Sequence, residues 1–156
     1  MHPKFVAAIE LLHGKFGELL AGPARKFGEL PVRMPKSGVY LFSEGSAHLY
    51  VGRSNRLRAR YFLHCRPGSR QNQASLAFKL TREALGAPHT AYRAGKSSRA
   101  GLAVNPDFQN AFSSAKERLR LMDYRCVEET DQTRQALLEA YCAIARSTPY
   151  DDFDTH

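Results

Sequence analysis

Two short hydrophobic runs, "GVYLFS" at residues 38 to 43 and "HLYVG" at 48 to 52, flank the tetrapeptide "EGSA" in a chain whose other apolar residues mostly recur at helical spacing. Both runs are rich in β-branched and aromatic residues, and the link between them carries a glycine, so the stretch predicts a β-hairpin. That hairpin restricts the chain to folds that combine a small sheet with helices.

The remaining elements follow from periodicity. Phe5, Ile9, Leu12, Phe16 and Leu19 or Leu20 form one apolar stripe, which predicts an amphipathic helix over the first 20 residues. From Gly22 to Ser37 prolines and glycines without a clear period predict an irregular connector. "RSNRLRARYFLH" has the length and spacing of a helix, capped by Ser54 or Asn55, and "QASLAFKLTREALG" predicts a second helix ended by Gly86. "HTAYRAGKSSRAGLAVNP" reads as a basic loop. "DFQNAFSSAKERLRLM" predicts a helix, "DYRCVEE" a third strand, and "DQTRQALLEAYCAIAR" a last helix with Asp131 as N-cap. The expected order is αββαααβα in a single domain of the α+β class: a small, mostly antiparallel three-stranded sheet flanked by helices, with an N-terminal helix and a helical insertion.

Charge is distributed unevenly along this order. Residues 45 to 106 hold 11 lysines or arginines against one acid, Glu83, whereas the rest of the chain holds 12 bases and 14 acids. A segment with so few internal counterions is suited to a polyanion. The three cysteines, Cys65, Cys126 and Cys142, are odd in number and include no CxxC pair, which argues against a disulfide framework and a zinc site. No apolar run approaches the roughly 20 residues of a membrane span. The N-terminus has Glu10 and Glu18 inside its apolar pattern and no small-residue cleavage site, so a cytoplasmic protein without membrane contact is expected.

The hairpin and the residues after it carry a chemistry suited to phosphodiesters, whose hydrolysis requires an activated water and a cation to offset charge on the phosphoryl oxygens. Tyr40 and Tyr50 share a sheet face only if paired residue numbers sum to an even value. Pairing Tyr40 with Tyr50 leaves a loop from Ser43 to Ala47 closed by Phe42 and His48. Arg53, Arg56, Arg60 and His64 follow at three- or four-residue steps, the spacing of one helix face. Strand tyrosines more often belong to a core, and an arginine-rich helix more often presents a solvated face, so the full pattern has to decide.

"GVY" at 38 to 40, "LYVG" at 49 to 52, Arg60 eight residues past Gly52 and His64 one helical turn further resemble the GIY-YIG nucleases. "LLEAYCAIARSTPYD" places Glu139, Pro149 and Tyr150 where that family carries a metal-binding glutamate and a later Pro-Tyr-Asn. The resemblance implies a nuclease domain over residues 37 to 152 with an insertion at about 66 to 107, preceded by the helix and connector of residues 1 to 36. It also implies metal-dependent cleavage of DNA with Mg²⁺ or Mn²⁺. Carried over by position, Tyr40 and Tyr50 are the motif tyrosines, Arg60 the transition-state arginine, Glu139 the metal ligand and His64 the residue one turn beyond.

A free phenol has a pKa of about 10, so either tyrosine serves as general base only if neighbouring cations favour phenolate. Tyr40 is the favoured base, with Tyr50 in its network and His64 a rival base or leaving-group donor. Arg60 would grip two phosphate oxygens with its planar fork. Glu139 lies in an apolar run, where an unpaired buried carboxylate is costly. A single carboxylate suits Mg²⁺, which keeps most of its waters and accepts phosphate oxygens.

The chain departs from the pattern at Arg53, where many members have lysine, and at Asp151, which replaces asparagine. Asp151 is expected either as a second metal ligand or as an anion that repels phosphate. Arg53, Arg56, Arg66, Arg70, Arg93, Lys96 and Arg99 are the candidate nucleic-acid contacts. One alternative is a basic nucleic-acid-binding module that keeps the scaffold without turnover. Another is a toxin or immunity component that works with a protein partner, since no separate recognition domain is present.

Overall fold

The computed structural model describes residues 1–86, 101, 104–151 and 153. Among them the elements run α1 (Pro3–Ala21), β1 (Gly38–Glu44), β2 (Ala47–Ser54), α2 (Leu57–Cys65), α3 (Ser75–Ala84), α4 (Pro106–Leu121), β3 (Asp123–Glu128) and α5 (Gln132–Arg146). The class is α+β, in the expected order, with a three-stranded antiparallel sheet flanked by helices. No helix among the described residues is long and apolar enough to cross a membrane.

The chain forms two compact units, one of Met1–Arg60 with Met122–His156 and the other of Tyr61–Leu121. The second unit takes in the expected insertion and extends beyond both of its ends.

In the first unit the strand order is β2-β1-β3, with both pairings antiparallel. β1 is central because it is apolar on both faces, and it is buried from Gly38 to Ser43. Val39 and Leu41, with Val51 of β2 and Val127 of β3, face Leu12 and Leu19 of α1 and Leu138 and Cys142 of α5 in the main core. The opposite face is aromatic. There the Tyr40 ring lies 5.9 Å from Phe42 and 5.7 Å from Tyr124, the latter stacked.

The hairpin keeps the even parity that puts Tyr40 and Tyr50 on one face, but its register differs from expectation by two residues. Tyr40 pairs with Gly52 and Phe42 with Tyr50. Ser43 then pairs with His48, so Leu49 is the extra residue of a bulge, and the strands continue to Glu44 and Ala47. The turn is tighter than the predicted loop, and Gly45 supplies its positive φ of 56°. At the other end of β1 a glycine is required for space, since a Cβ on Gly38 would overlap the carbonyl of Val127.

Several contacts hold the ends of α2 and the connector. Ser54 Oγ accepts from Arg56 N (3.0 Å), Leu57 N donates to Lys36 O (2.8 Å), and Gln135 Nε2 donates to Asn55 Oδ1 (3.1 Å). Arg25 and Tyr124 exchange two backbone hydrogen bonds, at 2.9 and 2.8 Å, which pins the connector to the edge of β3. α5 starts at its predicted cap, with Asp131 Oδ1 accepting from Arg134 N at 2.8 Å.

The second unit has its own aromatic centre, with Phe108 5.6 Å from both Phe78 and Phe112. Leu76 and Leu80 of this unit are buried, whereas Leu85 is exposed. Its buried Lys116 is satisfied by Pro67 O at 2.5 Å and Ser69 O at 3.0 Å, so this cation serves the fold.

Candidate active site

Tyr40 lies at the centre of the aromatic face, 1% exposed, with Tyr50 on one side (6.3 Å between centroids) and Tyr124 on the other. Its close fit depends on Gly52, directly opposite in β2, where a Cβ would overlap the Tyr40 hydroxyl and the ring carbon that bears it. Position 52 therefore needs glycine for a packing reason: the Tyr40 ring occupies the volume a side chain would fill.

Arg60 reaches this face from α2. Its Nε donates to Tyr40 Oη at 3.4 Å, and it also hydrogen-bonds Tyr50. Burial works against the guanidinium charge, but the two phenols outweigh burial and hold Arg60 protonated. Tyr40 is driven the other way. Burial foremost, then Tyr50, push its pKa far above the ordinary phenol value, against the lowering influence of Arg60. The hydroxyl is therefore neutral in the protein as described, and the phenolate bias expected from neighbouring arginines is overcome by burial. Tyr50, half-buried, is the phenol open to solvent.

Two carboxylates, Glu139 and Asp151, each bond to a residue of β2. Glu139 of α5 accepts from Arg53 Nε at 3.0 Å, in an ion pair whose side chains are 22% and 46% exposed. Burial raises the Glu139 pKa and Asp151 raises it further, while Arg53 opposes both. Asp151 Oδ2 accepts from Val51 N at 2.8 Å, and Tyr150 N donates to Leu49 O at 3.2 Å. The chain after α5 thus covers the backbone edge of β2, which edge strands otherwise leave open. This is a third role for Asp151, beyond the two expected from sequence: its carboxylate is a backbone clamp on the strand that carries Tyr50.

Glu139 and Asp151 fit one mode of Mg²⁺ binding, in which one or two carboxylates hold the ion and substrate oxygens complete its shell. Burial is the main cause of the raised Glu139 pKa, and a divalent cation would relieve the lesser part that comes from Asp151. No cluster of three or more metal-ligating side chains occurs among the described residues, so any ion here would depend on substrate or water for most of its ligands.

Tyr40, Tyr50, Arg53, Arg60, Glu139 and Asp151 therefore converge in the first unit from positions spread over more than a hundred residues. Of the expected helical stack, Arg60 and His64 do lie four residues apart on α2, but Arg53 and Arg56 lie outside it. Arg53 belongs to β2, and Arg56 precedes α2, where its carbonyl accepts from Arg60 N at 2.9 Å. His64 belongs to the second unit and is fully buried. Arg56, Arg66 and Arg70 are exposed. Arg93, Lys96 and Arg99 lie outside the described residues.

Sequence reading missed Tyr124 and Arg25. Alternation within "DYRCVEE" puts Tyr124 and Cys126 on one face, a usable signal for the tyrosine, but nothing local pairs Arg25 with β3. No family model matches the chain, and neither the curated proteins nor the solved structures contain a match.

Proposed function

We propose that the protein is a metal-dependent endonuclease that hydrolyses phosphodiester bonds in DNA, working in the cytoplasm. The observation that carries this reading is the convergence of Arg60 on Tyr40 and Tyr50, beside the carboxylates of Glu139 and Asp151. A guanidinium pre-set by two phenols binds the non-bridging oxygens of a phosphate. Tyr50, the half-buried phenol of the pair, orients the attacking water. Glu139, with Asp151, would hold Mg²⁺ or Mn²⁺, which supplies Lewis-acid stabilisation of the charge developing on the phosphoryl group. The excess of basic residues between 45 and 106 draws the polyanion to the site. Three free cysteines suit a reducing compartment.

The test is nicking of supercoiled plasmid at low salt with Mg²⁺, wild type beside Glu139→Ala and Arg60→Ala. Activity in the wild type that both substitutions abolish supports the reading, and absence of nicking with either metal refutes it.

One observation favours a second reading, a DNA-binding module without turnover: Arg53 already neutralises Glu139. In that case binding falls steeply with salt and is indifferent to Tyr40→Phe.

A further inference from the structure

A cavity of about 350 Å³ opens between the connector and β3, on the sheet face that carries the tyrosines. Pro31, Met34 and Pro35 supply flat apolar walls and Tyr124 an aromatic one, while Arg25 and Arg33 are its charged residues, with no acid in the lining. The volume is at the lower end of the range of about 300–1,000 Å³ typical of ligand sites, enough for one flat ring system.

Arg25 supplies a second, independent indication. Its Nε is buried and has no hydrogen-bond partner in the protein, an arrangement that native folds rarely leave unanswered. The residue itself is held firmly, because its backbone N and O are both bonded to Tyr124. The opposite wall is fixed as well, since the Arg58 guanidinium donates to the carbonyls of Pro31 and Val32. A guanidinium only donates, so the occupant must present acceptors, and it must be planar and apolar on its faces.

We infer that this cavity is a subsite for one unstacked base of the DNA strand bound at the active site. The inference rests on the proposed nucleic-acid substrate. Nucleobases combine aromatic faces with carbonyl and ring-nitrogen acceptors, and arginine is their commonest specific partner. Tyr124 provides the link, because its ring both lines the cavity and stacks on Tyr40 at 5.7 Å. A strand whose phosphate engages Arg60 can therefore place a neighbouring base against Tyr124 only if that base has left its stack. The consequence is a preference for DNA with an unpaired nucleotide near the cleaved bond over continuous duplex.

The experiment measures binding of the full chain in EDTA, so that cleavage plays no part. Three probes are compared: a single-stranded oligonucleotide carrying 2-aminopurine, the same strand made abasic at that position, and a fully paired duplex. Wild type should bind the base-bearing strand about tenfold or more tightly than the abasic one, with a change in 2-aminopurine fluorescence. Arg25→Met, which keeps the backbone bonds to Tyr124, and Met34→Trp, which fills the cavity, should each remove that difference and leave duplex binding unchanged. Equal binding of the base-bearing and abasic strands by wild type overturns the inference. So do variants that keep the difference while melting like wild type. Base-dependent binding without any nicking would remove the nuclease activity and keep the subsite, whereas nicking without base dependence would do the reverse.

Discussion

Gly52→Ala tests whether the close approach of β2 to the Tyr40 ring is the reason for the glycine. The added methyl would overlap the Tyr40 hydroxyl first and the adjoining ring carbon next. A flexible exposed side chain would turn aside at little cost. Tyr40 cannot, since it is 1% exposed and lies among Phe42, Tyr50 and Tyr124. Either the ring shifts, weakening the 3.4 Å bond from Arg60 and the stack on Tyr124, or β2 moves away from β1. Overpacking of this kind costs about 1–3 kcal/mol. With the weakened Arg60 contact included, a loss of about 2 kcal/mol is expected in urea unfolding, equivalent to roughly 4–8 °C in a chain of this size.

A double-mutant cycle makes the test specific. Tyr40→Phe deletes the atom nearest the new methyl, so Gly52→Ala should cost less in that background, by on the order of 1 kcal/mol. The recovery is partial because the ring carbon remains. Additivity within about 0.5 kcal/mol would refute the packing account. Plasmid nicking by Gly52→Ala should fall with the displaced phenol, and wild-type nicking by a destabilised Gly52→Ala protein would show that Tyr40 placement is irrelevant to the chemistry.

Gly38→Ala should be costlier than Gly52→Ala in the same urea assay, since its Cβ meets the backbone carbonyl of Val127, which has no rotamer to adopt. Asp151→Asn retains an acceptor for Val51 N and should keep stability within about 0.5 kcal/mol, whereas Asp151→Ala strands a buried donor and should lose about 1–2 kcal/mol. Arg53→Gln should change stability by no more than about 1 kcal/mol, because the pair with Glu139 is partly exposed, yet should tighten Mn²⁺ binding measured by calorimetry without DNA. Burial pushes the thiols of Cys65 and Cys142 from about 9 up to about 12. A raised folded pKa gives stability that is full below pH 9 and lost as pH rises toward 12, so the urea midpoint should fall across that window, and fall less in Cys65→Ala.

Element order was legible because each element carries its own period, and the hairpin's parity because alternation decides which face a side chain takes. Register was not legible: parity permits slips of two, and the bulge at Leu49 and the tight turn at Gly45 select among them. Arg53 was misplaced because its three-residue step to Arg56 is the same at the end of a strand as at the start of a helix. The burial of His64 and the separate centre of Phe78, Phe108 and Phe112 depend on which apolar faces meet, which periodicity does not state. The Arg25–Tyr124 bridge joins residues 99 positions apart with no local pattern, so the cavity it helps to form left no trace in the sequence.

The edge of β2 concentrates the chemical tension of the site. Asp151 clamps the strand and in doing so brings a second negative charge toward Glu139, whose pKa burial already raises. Some cation must answer that charge. In the structure it is Arg53, bonded at 3.0 Å to Glu139 Oε2. Under the proposed activity Glu139 and Asp151 would hold the metal ion, and the Arg53 guanidinium, on the strand that also carries Tyr50, would then be free to leave Glu139. A guanidinium there would be placed for a phosphate of the proposed substrate. An arginine suits this exchange because it keeps its charge in both states, whether paired with carboxylate or with phosphate.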